Sequence, residues 1–302
     1  MSGVELRRIA DIPVDMVKEV RLYPYFFPVN LEGKPNFPDG DPVGDCQKYW
    51  KGIRRAMVQN PADRIGFGGY LSLAVTRPDF IDYVGVLAEE FRTIRDTAKK
   101  YEKYKAPFKV AVLNCWGAIR SWIDDDINDW TKPYRGGVLE CLSGMNVELE
   151  YLSFDEVLEN GLPKDVKIVI NMGDAGTAWS GGEYWKNEKL TELIRDFVYQ
   201  GGGFIGIGEP TACRYQGSFF QLSDVLGVDR EMGESKSIAR WPFETVKDHF
   251  LAEDGIVLEE LRHKKDGVFI KNPDTVVIAA DEFNVLAAAN TYGKGRGLYL
   301  TD

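Results

Sequence analysis

Arg64 stands two residues before a Gly66-Phe67-Gly68-Gly69 run that leads through Tyr70 into an apolar segment, within the stretch DRIGFGGYLSLA at residues 63–74. A guanidinium presents paired, planar donors that match phosphate or carboxylate oxygens. Glycines let the main chain come close enough for backbone N–H groups to converge on the same anion. The alternative is an ion pair between Arg64 and Asp63 or another acid, and the residue types alone leave both readings open.

Two further stretches carry candidate groups. In GDAGTAWSGG, residues 173–182, Asp174, Thr177 and Ser180 could hold sugar hydroxyls with Trp179 stacked on an apolar sugar face. The competing reading is a glycine-rich connection whose aspartate caps a helix. NCWGAIRSW, residues 114–122, either supplies ligand contacts through Trp116 or buries Trp116 and Trp122. GGGFIGIGEPTA, residues 201–212, invites comparison with a dinucleotide loop, but the third glycine of GxGxxG is missing and Glu209 puts negative charge where a pyrophosphate would sit. A nucleophile elbow at the same turn needs a serine or cysteine, and Ile207 and Gly208 stand there instead.

Composition narrows the classes. Thirty-seven basic against 47 acidic side chains give a formal charge of −10, which argues against a nucleic-acid binder. No segment reaches the ~18–20 uninterrupted apolar residues of a membrane span, and the first residues lack the apolar core of a signal peptide, so a cytoplasmic location is expected. Cys46, Cys115, Cys141 and Cys213 are far apart and read as buried thiols. His249 and His263 are isolated, so neither a metal site nor a cofactor is expected.

The elements that must position these residues follow from the pattern. Asp41-Pro42 opens a helix whose apolar face is Val43, Cys46, Tyr49, Trp50, Ile53 and Met57, and Asn60-Pro61 closes it. A second helix begins near Pro78 with Phe80, Tyr83, Val84, Leu87, Phe91, Ile94 and Ala98 on its apolar side. With a short strand in VRLYPYFFPV, the first hundred residues read as strand, helix, glycine loop, helix. After KKYEKYKAP come runs suited to buried parallel strands: FKVAVLN (108–114), VKIVIN (166–171) and GFIGIG (203–208). Helical patterns in GGVLECLSG and EYWKNEKLTELIRDFVYQ alternate with them. TVVIAA adds a strand, and VLAAANTYGKGRGLYL adds two joined by a turn. Residues 229–265 resist assignment.

The sequence resembles the 1,3-beta-galactosyl-N-acetylhexosamine phosphorylases, also called lacto-N-biose or galacto-N-biose phosphorylases. The stretches that carry the resemblance are LYPYFFP, GDPVGDCQKYW, RRAMVQNPADRIGFGGYLSLA, APFKVAVLNCWGAIRSW, GVLECLSGM, INMGDAGTAWSGGEYW, GGGFIGIGEPTA, QGSFFQLSDVLGVDRE and YGKGRGLYL. They occur in family order along nearly the whole chain, and the related galactosyl-rhamnose phosphorylases share the architecture. The resemblance implies cleavage of a β-galactosyl linkage by inorganic phosphate, giving α-galactose 1-phosphate and N-acetylhexosamine with inversion. In such chemistry a carboxylic acid protonates the leaving oxygen, and phosphate needs cationic and N–H donors rather than a carboxylate base. By similarity, Arg64, Gly66, Phe67, Gly68, Gly69 and Tyr70 are expected at the substrate and phosphate site, with Asp174 and Trp116 as supporting residues.

The resemblance further implies an α/β fold: the C-terminal part of a (β/α)8 barrel over 1–105, then an open, mostly parallel α/β domain over 106–302 resembling class I amidotransferase-like folds. Complete barrels need ~250 residues, so the match enters late in the barrel, downstream of the expected general-acid aspartate. It also stops before a further C-terminal region of the family. Asp45, Asp63 and Asp174 lie in matched motifs but inherit no general-acid role. The expected reading is a fragment or trimmed descendant, either contributing part of an active site or serving a structural role in assembly. Its partners would be a small disaccharide and phosphate, not nucleic acid or membrane. Unpaired barrel edges would favour a homo-oligomer, and residues 108–302 are expected to fold more reliably than 1–105.

Overall fold

The structure is a computed structural model. It describes residues 16–22, 41–67, 76–114, 137–177, 179–233, 244–245, 249–251, 265–281 and 284–302, with no side chains at 20–22. Contacts divide the chain into two compact units: Met1–Lys105 with Arg135–Asn146, and Ala106–Tyr134 with Val147–Asp302.

In the first unit β1 (Glu19–Leu22) is followed by α1 (Pro42–Gln59), β2 (Arg64–Phe67) and α2 (Pro78–Lys100). The two strands pair in parallel, Glu19 opposite Arg64 and Leu22 opposite Phe67, so α1 is the crossover that parallel pairing requires. Helix α1 starts where the Asp41 carboxylate accepts from the Gly44 N–H at 2.8 Å, with Pro42 at the first helical position. It ends at Asn60, just before Pro61. Cys46, Trp50, Ile53, Ala56 and Met57 on α1 pack against Phe80, Leu87 and Phe91 on α2. The region read as a glycine loop therefore begins as a strand: Ile65 and Phe67 pack beside this core, and pairing with β1 satisfies backbone groups that a loop would leave to water. Between the helices, Glu90 accepts from the Trp50 indole at 2.7 Å and from the Arg54 guanidinium at 3.0 Å. Burial works against its charge, but these two donors outweigh it and hold the carboxyl below its usual range.

The second unit opens with β3 (Lys109–Asn114). The short helix α3 (Glu140–Ser143), part of the GGVLECLSG pattern, belongs to the first unit, where the Arg55 guanidinium meets Glu140 at 3.2 Å. The second unit resumes with β4 (Glu148–Ser153), α4 (Phe154–Asn160), β5 (Val166–Gly173), α5 (Glu188–Tyr199) and β6 (Gly203–Gly208). There follow the hairpin of β7 (Ala212–Tyr215) and β8 (Ser218–Phe220), α6 (Ser223–Leu226), β9 (Val228–Arg230) paired with β10 (Val268–Ile270), and then β11 (Val276–Ala280), β12 (Val285–Tyr292) and β13 (Gly295–Leu300).

Seven strands form one sheet in the order β11-β12-β13-β6-β5-β3-β4. Five neighbours, from β13 to β4, run parallel, and β12 pairs antiparallel with both β11 and β13, so the sheet is mixed and mostly parallel. The chain starts in the middle at β3, steps out to β4 and crosses back to β5. The order therefore reverses between β3 and β5, the arrangement of doubly wound sheets. Ala111, Leu113, Val169, Phe204 and Tyr299 share one face, and Phe154 and Val157 of α4, Leu190, Ile194 and Val198 of α5, and Val225 and Leu226 of α6 pack onto it. The YGKGRG run is fitted to this face: a Cβ on Gly297 would lie 2.1 Å from the Val225 carbonyl oxygen, so only glycine lets β13 approach α6 so closely.

Candidate functional site

In parallel α/β architectures ligand-facing groups stand beyond the carboxyl ends of the strands. In the first unit that end is Phe67 on β2. Arg64 opens the same strand on the far side of three residues, about 10 Å away; to join an anion held by the glycines, its side chain has to lie along the strand. Arg64 is exposed, and Asp63 does not take it as an ion pair. Asp63 instead accepts from the Lys18 N–H at 3.1 Å, while the Lys18 carbonyl accepts from the Asp63 and Arg64 N–H groups at 2.9 and 3.0 Å, which fixes the register of β1 on β2. Among the described residues a Cβ on Gly66 would find only the Glu19 carboxylate, at 3.9 Å. The Phe67 ring is half-buried and meets Phe80 edge-on, centroids 6.0 Å apart, beside the core between strand and helix. Gly68, Gly69, Tyr70 and Trp116 lie outside the described residues, as do Cys115 and His263.

In the second unit the ends of β5 and β6 bring charged groups together that the sequence keeps far apart. Asp174, just past β5, forms an ion pair with Lys265. Glu209, just past β6 where Gly208 turns the chain at φ 77°, is 7% exposed and ion-paired with Arg230. The second Glu209 oxygen accepts from the Ala175 N–H at 2.8 Å, which joins the two pairs into one network. Arg230 donates from Nε to the Asp266 carbonyl at 2.9 Å and lies over the Phe219 ring at 5.3 Å. Tyr299 is buried beneath, its hydroxyl 3.3 Å from the Gly208 carbonyl, and desolvation pushes its pKa well up.

The sugar-binding reading of the loop after β5 does not survive. Trp179 is 0% exposed and cannot serve as a stacking platform. Thr177 donates to the Asp174 carbonyl at 2.7 Å, and Ser180 is buried, its carbonyl accepting from the Trp185 indole. These side chains close the loop on itself, as the glycine-rich-connection reading holds. The thiols need one correction as well. Cys46 and Cys213 are buried, Cys46 raised to about 11 by burial with the nearby Asp45 charge adding to it, whereas Cys141 is exposed on its short helix. Among the described residues no group of three His, Cys, Asp or Glu side chains is placed to hold a metal ion. No helix among them is long and apolar enough to cross a membrane.

Sequence reasoning missed Arg230, Lys265 and Asn171, all of which act through partners more than 20 residues away. Glu209 carried the one available signal: a carboxylate directly after a buried strand requires a cation nearby.

A βαβα unit followed by a doubly wound sheet with its charged groups at the strand ends is an architecture common to many carbohydrate-active and nucleotide-binding proteins, so the comparisons with known sequences decide between them. Residues 109–302 match the model of the lacto-N-biose phosphorylase central domain, and residues 1–106 match that of the lacto-N-biose phosphorylase N-terminal TIM barrel domain. The chain belongs to the lacto-N-biose phosphorylase family. It is 40% identical to a 1,3-beta-galactosyl-N-acetylhexosamine phosphorylase of Lachnoclostridium phytofermentans, over 99% of this chain and 41% of that protein. It is 37% identical to a 1,3-beta-galactosyl-N-acetylhexosamine phosphorylase of Bifidobacterium longum, over 99% of this chain and 44% of that protein. A D-galactosyl-beta-1->4-L-rhamnose phosphorylase of Lachnoclostridium phytofermentans is 35% identical over 99% and 41%. The chain thus spans about two fifths of the length of these relatives. Similar solved structures include a cold-adapted beta-galactosidase of Rahnella (TM-score 0.48, 16% identity, covering 99% of this chain and 45% of that one) and a GH42 beta-galactosidase of G. stearothermophilus (0.46, 12%, 94% and 46%).

Proposed function

We propose that the chain serves the phosphorolysis of β-1,3-galactosyl-N-acetylhexosamines, releasing α-galactose 1-phosphate and N-acetylhexosamine with inversion. The observation that carries this reading is the 40% identity to a phosphorylase of that name along 99% of the chain. In this reaction phosphate attacks the anomeric carbon while a carboxylic acid protonates the departing oxygen, so the protein must hold an anion opposite the leaving group. The first unit is read as the last part of a (β/α)8 barrel. Its contribution is the carboxyl end of β2, where Gly66 and the glycines that follow admit substrate; Arg64, reaching along the strand, supplies positive charge for phosphate. No carboxylate of this chain is assigned as the general acid. Inorganic phosphate is the co-substrate, no cofactor is required, and the setting is cytoplasmic.

The second unit is read as an amidotransferase-like domain without nucleophile chemistry. Its parallel strands β4-β3-β5-β6-β13 support that fold, and the turn after β6 carries Gly208 and Glu209 where a nucleophile would have to stand. Asp174, held by Lys265, shapes the loop after β5 rather than binding sugar. A second reading, a galactosyl-rhamnose phosphorylase, is favoured by the 35% identity to such an enzyme along 99% of the chain.

The test is release of galactose 1-phosphate from lacto-N-biose, galacto-N-biose and galactosyl-rhamnose by the purified chain, with and without inorganic phosphate. Phosphate-dependent turnover of one substrate assigns the acceptor and requires a general acid within this chain. Absence of turnover from a folded sample leaves the chain either a structural role in such an enzyme or a contribution to catalysis that needs other parts of it.

A further inference from the structure

Two grooves run along the outer side of α1 and α2 and meet at Val58 and Ile94, which line both. One, of about 740 Å³, lies beside Lys51, Arg54, Arg55 and Glu90. The other, of about 790 Å³, is floored by Val58, Pro61, Ile94, Ala98 and Tyr101 and edged by Lys99, Lys100, Lys103 and Lys105. Seven basic side chains thus border the combined groove against two acidic ones, Glu90 and Glu102, in a chain whose net charge is −10. Glu90 is already committed to Trp50 and Arg54. The floor is apolar where it is most open: Val58 is 54% and Tyr101 61% exposed, with the Lys100 ammonium 5.2 Å above the Tyr101 ring.

We infer that this groove is a docking site for an acidic, amphipathic helical segment of a partner protein. Glu90 at its border and Ile94 and Thr97 of α2 recur at spacings of four and three, with Tyr101 just past the helix end continuing the line, so the groove follows the helix axis. At 1.5 Å per residue it extends about 16 Å, enough to seat roughly three turns of a second helix. Such a segment lays aliphatic side chains on Val58, Pro61 and Ile94 while its carboxylates meet the lysines at the end of α2; Arg54 and Arg55 are engaged by Glu90 and Glu140. A second copy of this chain, joined through the same patch about a two-fold axis, would set basic rim against basic rim, which like-charge repulsion disfavours. A nucleic acid would use the lysines and could stack one base on Tyr101, but it would leave Val58, Pro61 and Ile94 unserved. The proposal is independent of the phosphorylase reading, because none of these residues belongs to the end of β2.

The test uses the full chain and a fluorescein-labelled peptide of about twelve residues, built from leucine and glutamate with leucines at helical spacing. Fluorescence anisotropy should show saturable binding that weakens as salt rises. Lys99→Glu with Lys100→Glu, and separately Val58→Asp, should each weaken it about tenfold or more. All three positions are exposed, so the variants should keep the wild-type melting curve, and circular dichroism checks this. Four results would each overturn the inference: binding of a leucine–lysine peptide as tight as that of the acidic one; binding of polyglutamate undiminished by the missing leucines; tighter binding of a single-stranded oligonucleotide of equal length; or a concentration-dependent dimer that Val58→Asp dissolves. No binding of the acidic peptide would do the same.

Discussion

The Asn171 side chain bridges two loops that follow neighbouring strands: its Nδ2 donates to the Trp179 carbonyl at 2.8 Å, and its Oδ1 accepts from the Thr211 N–H at 2.7 Å. Thr211 is a β-branched residue at φ 55°, a backbone conformation that such residues rarely adopt. The clamp is therefore part of what holds it there, together with the Leu222 N–H on its hydroxyl and the Gln221 N–H on its carbonyl. Asn171→Leu keeps the volume but leaves a buried carbonyl and a buried N–H without their partner. Urea denaturation should show a loss of about 2–5 kcal/mol, and a loss below about 1 kcal/mol would mean that the loops hold themselves.

The ion pair between Glu209 and Arg230 should be worth little as a pair and much as a pairing. Arg230→Met leaves the Glu209 carboxylate, whose side chain is 9% exposed, with only the Ala175 N–H. The expected cost is about 3–5 kcal/mol in chemical denaturation, and adding Glu209→Gln should recover most of it. A single change and a double change of equal cost would show that the charge is solvated by other means.

Glu90 gives the first unit a pH dependence of known sign. Its folded-state carboxyl is held below its usual range, so its contribution is present above the ordinary glutamate value and is lost as pH falls through the lower, folded one. Wild type should exceed Glu90→Gln in stability at neutral pH by about 1 kcal/mol or less, since the side chain is partly solvated. The gap should close as pH falls below the usual carboxylate range. A gap that stays constant with pH would assign the contribution to packing against Trp50 instead.

The thiols should separate by reactivity. With its pKa raised to about 11, Cys46 holds only ~0.1% thiolate at pH 8 and is also buried. Cys141 is exposed. Cys141→Ser should remove one fast-reacting equivalent from a titration with a chromogenic disulfide, whereas Cys46→Ser should change only the slow phase that accompanies unfolding.

Gly297→Ala tests the fit of β13 under α6. A Cβ placed 2.1 Å from the Val225 carbonyl oxygen forces strand and helix apart, with an expected loss of about 1–3 kcal/mol and a fall in Tm of several degrees. An unchanged melting curve would mean that α6 yields without cost.

Local signals made much of this fold legible. Asp41-Pro42 and Asn60-Pro61 bound α1 because caps act within a turn, and β3, β5 and β6 announce themselves as apolar runs because a parallel sheet buries both faces. Six strands escaped, β2, β4 and the short β7 to β10, and the first two show why. RIGF carries a charge and a glycine in four residues and looked like a loop until β1 was laid beside it. ELEYLS alternates because β4 is an edge strand with Glu148 and Glu150 turned toward Lys109. The candidate sites were less readable. Trp179 looked like a stacking surface because nothing in GDAGTAWSGG tells that its indole is buried, and Arg230 and Lys265 lie where the chain has no periodic pattern at all.

The return of residues 135–146 to the first unit means that the polypeptide passes between the units three times, at 105/106, 134/135 and 146/147. One peptide-bond cut therefore cannot separate them. A protease that nicks the chain after Lys105 would leave Arg55 on one piece and α3 with Glu140 on the other, so part of the first unit would stay with the second piece. Expressed alone, residues 106–302 would carry α3 as an insertion deprived of Arg55. Isolating the second unit calls for excision of that segment and a new connection from the β3 side to β4, the kind of splice used to lift out an inserted domain rather than to trim a tail.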